Sequence, residues 1–355
     1  ICLITGMEVA NASMYDGPTA CAEAALMACR LKGRETVVMS EAVNPEYRMV
    51  TRTYLESAGL RYVEVAAKSG ATDAFKMDFG QEAACFIAQY PNYFGTLENL
   101  NELCRKTHEK GALLVVVSEP ISLGLLTPPG EFGADIVIGD AQPCGNSLSF
   151  GGPSAGYMAC RKDYIRQLPG RLAGITQDNR GQRAFTLTLQ TREQHIRRAK
   201  ATSNICTNQA LNALTMLVYL TSVGPEGLRE IANISVQRAH YLCDHLSQIA
   251  AVNLPFANQP FFNEFVYETE LPAEVLLQEL KKEGILGGVD LAKAYPHLAN
   301  CVLVAVTEMN SVEELDRYAQ ALKSILSNKS AGQSGKSANE KAEPVASAAQ
   351  PQRRH

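Results

Sequence analysis

The chain has 355 residues, 46% of them hydrophobic, which is enough to fill the core of one large domain and a smaller one. A formal net charge of −4 and a pI near 6.0 exclude the basic footprint of a nucleic-acid or anionic-membrane binder, and no apolar run approaches the ~20 residues that cross a bilayer. Ten cysteines are scattered without a CxxC pair or a Cys/His cluster at metal-ligand spacing, so they read as reduced core thiols of a cytoplasmic compartment, with no metal site.

The chain opens at Ile1 within what reads as structure, with neither an initiator Met nor a signal peptide, and an upstream portion is expected. Asn11-Ala-Ser-Met-Tyr-Asp-Gly17 then leads into a small-residue helix from Pro18 to Leu31. Hydroxyls such as Ser13 and a Gly-Pro step before a helix N-terminus suit an anion cradle, because the first backbone N–H groups lack partners. An ordinary loop with Asp16 as N-cap and Pro18 in the first turn reads equally from these residues.

Short Val/Ile-rich strands follow, alternating with helical patterns: TVVMS, RYVEV, ACFIA, LLVVV, DIVIG and GYMAC. This alternation predicts parallel βα units with the sheet buried on both faces and functional groups on loops at the carboxyl ends of the strands. Three such ends stand out. Asn92 follows the strand ACFIA in a Pro-Asn loop, where its amide either enters a cleft or closes a turn. Glu119 ends the next strand, facing either a ligand or solvent. Gln142-Pro143 follows DIVIGD, inside fifty residues from Gly111 to Cys160 that hold no Lys or Arg. The Gly-rich run Ser149 to Gly156 lacks GxGxxG and a strand-to-helix setting, which argues for a tight turn and against a dinucleotide site.

Arg192, His195, Arg197, Arg198 and Lys200 form the densest basic cluster, directly before Thr202, Ser203, Asn204 and Thr207. Arg192 and His195 are pocket candidates here, and the hydroxyl and amide residues are of the types that start helices and bind anions. Asn204 to Val223 reads as a long apolar helix closed by Gly224-Pro225. The large α/β domain is therefore placed at residues 1–225. A smaller α+β domain with antiparallel character is placed at 226–326, and residues 327–355, poor in apolar side chains, are expected to be a disordered tail.

Laid out this way, the chain resembles the pyridoxal-phosphate (PLP) enzymes of the type I, aspartate-aminotransferase-like fold. More specifically, LITGMEVANASMYDGPTACAEAALMA, ISLGLLTPPGEFGADIVIGDAQP, LSFGGPSAGYMACRK and PGRLAGITQDNRGQRAFTLTLQTREQHIRRAKATSNICTNQAL are similar to subunit 1 of the glycine decarboxylase P-protein, across residues 3 to 326. That resemblance implies a PLP type I fold in which the Schiff-base lysine belongs to subunit 2. Here Pro143 stands where the lysine would, so no catalytic residue is assigned to this chain. A tail in place of a lysine-bearing half points to the two-subunit form. The implied reaction is decarboxylation of glycine on the PLP of subunit 2, with the aminomethyl group passed to the lipoyl arm of the H-protein. By analogy with related enzymes, Thr202, Ser203, Asn204 and Thr207 act in trans on the partner's cofactor phosphate, and Glu119 stands where a carboxylate pairs with the pyridinium nitrogen. A non-catalytic scaffold that stabilises subunit 2 or docks the H-protein is the alternative. A self-sufficient enzyme using Lys162 or Lys200 is a third reading.

Overall fold

The computed structural model describes residues 1–73, 82–205 and 207–337. Cys206 and residues 338–355 lie outside them. A large sheet is built from β1 (Val9–Ala10), β2 (Thr36–Ser40), β3 (Arg61–Val65), β4 (Ala83–Tyr90), β5 (Leu113–Ser118), β6 (Ile136–Asp140) and β7 (Gly156–Cys160), in the order β1-β7-β6-β5-β4-β2-β3. The run from β3 to β6 is parallel, while β7 and β1 join antiparallel at one side. Every residue of β5 is buried because helices cover both faces. With side chains alternating across the strand, Leu113, Val115 and Val117 enter one core with Ala24, Met27 and Ala28. Leu114 and Val116 enter the other, with Leu100 and Leu103.

Four helices belong to this part: α1 (Cys2–Thr5), α2 (Gly17–Lys32), α3 (Pro45–Ser57) and α4 (Leu100–Glu109). Local chemistry sets their starts. Asp16 accepts the Thr19 amide at 2.8 Å, with Pro18 in the first turn of α2, and Asn44 accepts the Glu46 amide at 2.9 Å ahead of Pro45.

A hairpin of β8 (Leu172–Gln177) and β9 (Arg183–Thr188) stands apart from both larger sheets. Its turn is held by Asp178, whose Oδ1 accepts the amides of Arg180 and Gln182. Ile175 and Phe185 on it are 74% and 65% exposed, far beyond what the chain's own packing explains. The short α5 (Gln194–Arg197) follows, then α6 (Ala210–Ser247). The expected helix from Asn204 thus begins six residues later, with Gln209 as its N-cap, and Thr202, Ser203, Asn204 and Thr207 are irregular. As expected from Gly224-Pro225, the helical run is broken there: Gly224 takes φ 63° and ψ −176°, so α6 is two helices that meet at a kink, the second starting at Pro225.

The second sheet holds β10 (Val252–Asn253), β11 (Glu264–Thr269), β12 (Val289–Asp290) and β13 (Cys301–Ala305), antiparallel in the order β10-β11-β13-β12. Helices α7 (Ala273–Lys282) and α8 (Val312–Ser337) cover it, burying Tyr267, Leu276, Leu280, Val302 and Leu322 in a separate core. Helix α8 runs ten residues past the point where the tail was expected to begin, to Ser337. Residues 312–326 are rich in Leu, Glu, Ala and Lys, which favour a helix, whereas seven of the eleven residues from 327 to 337 are Ser, Gly or Asn, so the extension continues a helix that the earlier turns start.

The two sheets meet along the loop after β4. Phe262 donates its amide to the Gly95 carbonyl at 3.1 Å, Leu97 donates to the Pro260 carbonyl at 2.8 Å, and Tyr295 donates to the Glu41 carbonyl at 2.9 Å. Gly95 has φ +83°, and a Cβ there would lie 1.8 Å from the Glu264 carbonyl oxygen. Behind this contact are two acids, Glu119 after β5 and Glu264 at the start of β11. Burial pushes each up to about 7. For Glu264 the charge of Glu119 adds to the rise, and for Glu119 the amides of Ile121 and Ser122 oppose it.

Two outcomes are expected here. Gly95→Ala combines a left-handed backbone with a direct clash, so it should lower unfolding free energy by at least ~1–3 kcal/mol, read from denaturant titration. Raised folded-state values mean that the folded chain retains protons the unfolded chain has lost. Stability should therefore decline as pH rises from 4.5 to about 7 and level off above. Glu264→Gln should flatten that decline, and an unaltered slope in the variant would show that Glu264 is not its source.

Candidate functional site

The carboxyl ends of β4, β5 and β6 enclose a cavity of about 390 Å³ with the loop from Leu148 to Ser154. Gln89 reaches it from β4, Ser118 and Glu119 from β5, and Asp140, Gln142 and Pro143 from β6, with Asn44 and Tyr47 closing the side nearest α3. This is where an open α/β sheet places its ligand. Gly151 and Gly152 line it with φ values of 108° and 129°, in keeping with the tight turn expected of the Gly-rich run.

Asp140 organises the floor. Its Oδ2 accepts the amide of Gly17, the first residue of α2, at 3.0 Å. Its Oδ1 accepts the Gln142 amide at 2.8 Å and the Ser154 hydroxyl. The anion that a helix N-terminus attracts is thus supplied by the chain's own carboxylate. Tyr47 packs over the same helix end, so closely that a Cβ on Gly17 would meet its hydroxyl at 1.8 Å. Burial, reinforced by Asp140, holds that phenol neutral by pushing its pKa well up. Glu119 uses both oxygens to cap the turn that follows, accepting Ile121 at 2.9 Å and Ser122 at 2.6 Å. The Ser118 hydroxyl is buried with no hydrogen-bond partner, and Tyr157 donates to the Ser118 carbonyl at 2.7 Å.

Of the residues picked out from sequence, Glu119 and Pro143 line this cavity. Asn92 does not: its amide donates to the Gly70 carbonyl at 2.8 Å and to Glu98 at 3.0 Å while its oxygen accepts the Phe94 amide, so it closes a loop and serves no cleft. Arg192 is 9% exposed, with its guanidinium spent on the carbonyls of Leu168, Gly170 and Leu189. Burial lowers its pKa, so the cluster's most buried cation clamps backbone and does not face the cavity. His195 is exposed and lies 3.6 Å from Glu193.

Ser13 is buried and accepts the Gln209 amide at 3.0 Å. Together with the Thr202 amide on the Arg192 carbonyl, at 3.2 Å, it pins both ends of the segment carrying Thr202, Ser203, Asn204 and Thr207. Between those pins the Ser203 hydroxyl meets Glu23, whose burial raises its pKa and leaves one carboxylate oxygen without a partner. Asn204 and Thr207 point outward and are exposed. Asp140, Tyr47, Gln89 and Ser154 escaped the sequence reading. Only the placement of Asp140 at the end of DIVIGD, beside the already suspect Gln142-Pro143, offered a signal.

The residues present do not suit PLP in this cavity. Among the described residues lining it there is no lysine to form an imine and no cation for a phosphate. The helix end that would take a phosphate already holds Asp140. No helix of the described residues is long and apolar enough to cross a membrane, and none of their His, Cys, Asp and Glu groups could hold a metal ion. The nine described cysteines are free thiols, eight of them buried.

Comparison with known proteins agrees with this architecture. Residues 1–322 match the family model "Glycine cleavage system P-protein". The chain is 49% identical over 327 residues to the probable glycine dehydrogenase (decarboxylating) subunit 1 of Anoxybacillus flavithermus, covering 91% of this chain and 72% of that protein. It is 48% identical to the protein of the same description from Geotalea daltonii, covering 92% and 74%. A crystal structure of glycine decarboxylase (P-protein) of the glycine cleavage system, in inhibitor-bound form, superposes with a TM-score of 0.87 at 44% identity, over 92% of this chain and 73% of that one. A NifS-like protein at 14% identity and TM-score 0.66, covering 92% and 85%, shares the fold alone. The large, mostly parallel sheet is that of the PLP-dependent transferases of type I, and the chain belongs to the glycine cleavage system P-protein family.

Proposed function

We propose that this chain is subunit 1 of a two-chain glycine dehydrogenase (decarboxylating), working beside a second subunit that carries the lysine and the PLP. The observation that carries this reading is the cavity at the carboxyl ends of β4 to β6, which keeps the position and size of a cofactor site yet presents Gln142-Pro143, Asp140 and Glu119. Relatives described as subunit 1 support the same division of labour. PLP supplies the electron sink for losing the glycine carboxyl, in the partner's site. The H-protein lipoyl arm then receives the aminomethyl group.

What this chain contributes is positioning. Exposed apolar side chains on the first half of α6 (Leu211, Leu214, Leu217 and Val218) and on the β8–β9 hairpin are a surface for the second subunit. Asn204 and Thr207, held outward by the pins at Ser13 and Arg192, then reach the partner's cofactor phosphate, with Thr202 and Ser203 shaping the turn. A pinned loop loses little entropy on docking, which favours a group that must be in place before glycine arrives. Reduced, buried thiols suit a cytoplasmic location.

The structure removes a rival account of Asn204, since α6 is capped at Gln209 and Asn204 lies five residues before that cap. Asn204→Ala should leave the melting temperature and assembly with subunit 2 unchanged. It should slow glycine–bicarbonate exchange or weaken PLP affinity by one to two decades, the ~1.5–3 kcal/mol of a charge-assisted hydrogen bond. Full exchange in the variant complex would leave the chain a scaffold. Separately, the chain purified alone should give no borohydride-fixed pyridoxyl group on peptide mapping; one equivalent on a single lysine would refute the two-subunit reading.

A further inference from the structure

We propose that the Arg192 guanidinium is a positioning group that makes the β8–β9 hairpin and the segment carrying Asn204 and Thr207 one rigid unit. Docking of the second subunit on the hairpin then also sets where that segment meets it. Leu172 and Thr188 are the last pair of the hairpin ladder. Just beyond them Arg192 joins the two feet. Its Nη1 donates to the Leu168 carbonyl and its Nη2 to the Gly170 carbonyl at 3.0 Å, both on the entering chain, while Nε donates to the Leu189 carbonyl on the leaving chain at 3.0 Å. The entering foot is itself tied to the chain after β1: the Asn11 side chain donates to the Pro169 carbonyl at 3.1 Å, and the Ala12 amide donates to the Arg171 carbonyl at 2.9 Å. Leu189 takes φ 54°, a left-handed backbone that a side chain disfavours, and its carbonyl holds two donors of Arg192, Nε and the main-chain amide.

The same residue holds the second segment, because the Arg192 carbonyl accepts the Thr202 amide at 3.2 Å, two residues before Asn204. On the hairpin, Ile175 pairs with Phe185, and Leu187 lies two residues further along, so these exposed apolar side chains share one face. A planar fork with fixed donor directions holds three carbonyls in one geometry, which an ammonium on a flexible stem does not. The catalytic consequence rests on the two-subunit reading, whereas the coupling of the two segments does not.

The test has an arm for each. In the full chain alone, Arg192→Lys should speed amide hydrogen exchange about tenfold in peptides from both the hairpin and residues 202–205, with those of β11 and β13 unchanged. Thr202→Pro removes only the amide that links clamp to segment, and Ala201 before it, at φ −64° and ψ 152°, already has the backbone that precedes a proline. That variant should loosen residues 202–205 and leave the hairpin protected, and it decides the matter if Arg192→Lys does not fold. Anything less than loosening of both segments in folded Arg192→Lys, or full protection of residues 202–205 in Thr202→Pro, would overturn the coupling. In the complex with the second subunit, Arg192→Lys should leave assembly intact and cut the turnover of glycine–bicarbonate exchange about tenfold, and adding Asn204→Ala to it should cost less than about threefold more. A full, independent loss from the added Asn204→Ala would show that Arg192 does not act through that segment. Full exchange in Asn204→Ala alone would refute the segment's catalytic role, with the coupling still judged by hydrogen exchange.

Discussion

The carboxylate of Asp140 is the tie on which the floor of the crevice depends. It closes the N-terminus of α2, the Gln142 amide and the Ser154 hydroxyl onto one side chain, so the helix, the end of β6 and the entry to β7 are fixed relative to each other. A helix N-terminus attracts an anion, and here an internal carboxylate makes the arrangement self-sufficient. The strand order, the covered faces of the sheet and the crevice at its carboxyl edge all persist.

How much of this was legible in the sequence depends on burial. Strands β2 and β4 to β7 were legible because both their faces are covered, so Val, Ile, Leu and Ala run nearly without interruption. The β8–β9 hairpin was missed although Asp178 to Gly181 is a turn signal, because its apolar residues face outward and no burial pattern marks its strands. The start of α6 was placed too early for a related reason: Thr202, Ser203, Asn204 and Thr207 are residue types that cap helices, and here the Thr202 amide and the Ser203 hydroxyl are committed elsewhere while Asn204 and Thr207 are exposed.

The site was legible in part. Gln142-Pro143 and Glu119 were found because their positions follow strands that the sequence makes plain. Arg192, Asn92 and Ser13 were also singled out, and they bind backbone, loop and segment respectively. Nothing in a residue's type separates a guanidinium that grips carbonyls from one that awaits a carboxylate. That distinction arises only from tertiary contacts between residues far apart in sequence, such as Arg192 with Leu168 or Gln209 with Ser13.

Helix α6 gives the molecule a joint. One residue, Gly224, leaves the helical conformation, and the chain passes there from the large sheet toward the small one. A second attachment lies at the loop after β4, where Gly95 and Leu97 are hydrogen-bonded to Phe262 and Pro260. A third lies where Tyr295 donates to the Glu41 carbonyl, and a frame closed at several points cannot swing about one without parting the others. Reorienting the small sheet by turning Gly224 therefore requires releasing the strap at Gly95, beside the buried acids Glu119 and Glu264. The resistance of the chain to bending at Gly224 therefore comes from contacts remote in sequence from that glycine, along the Gly95 loop and at Tyr295.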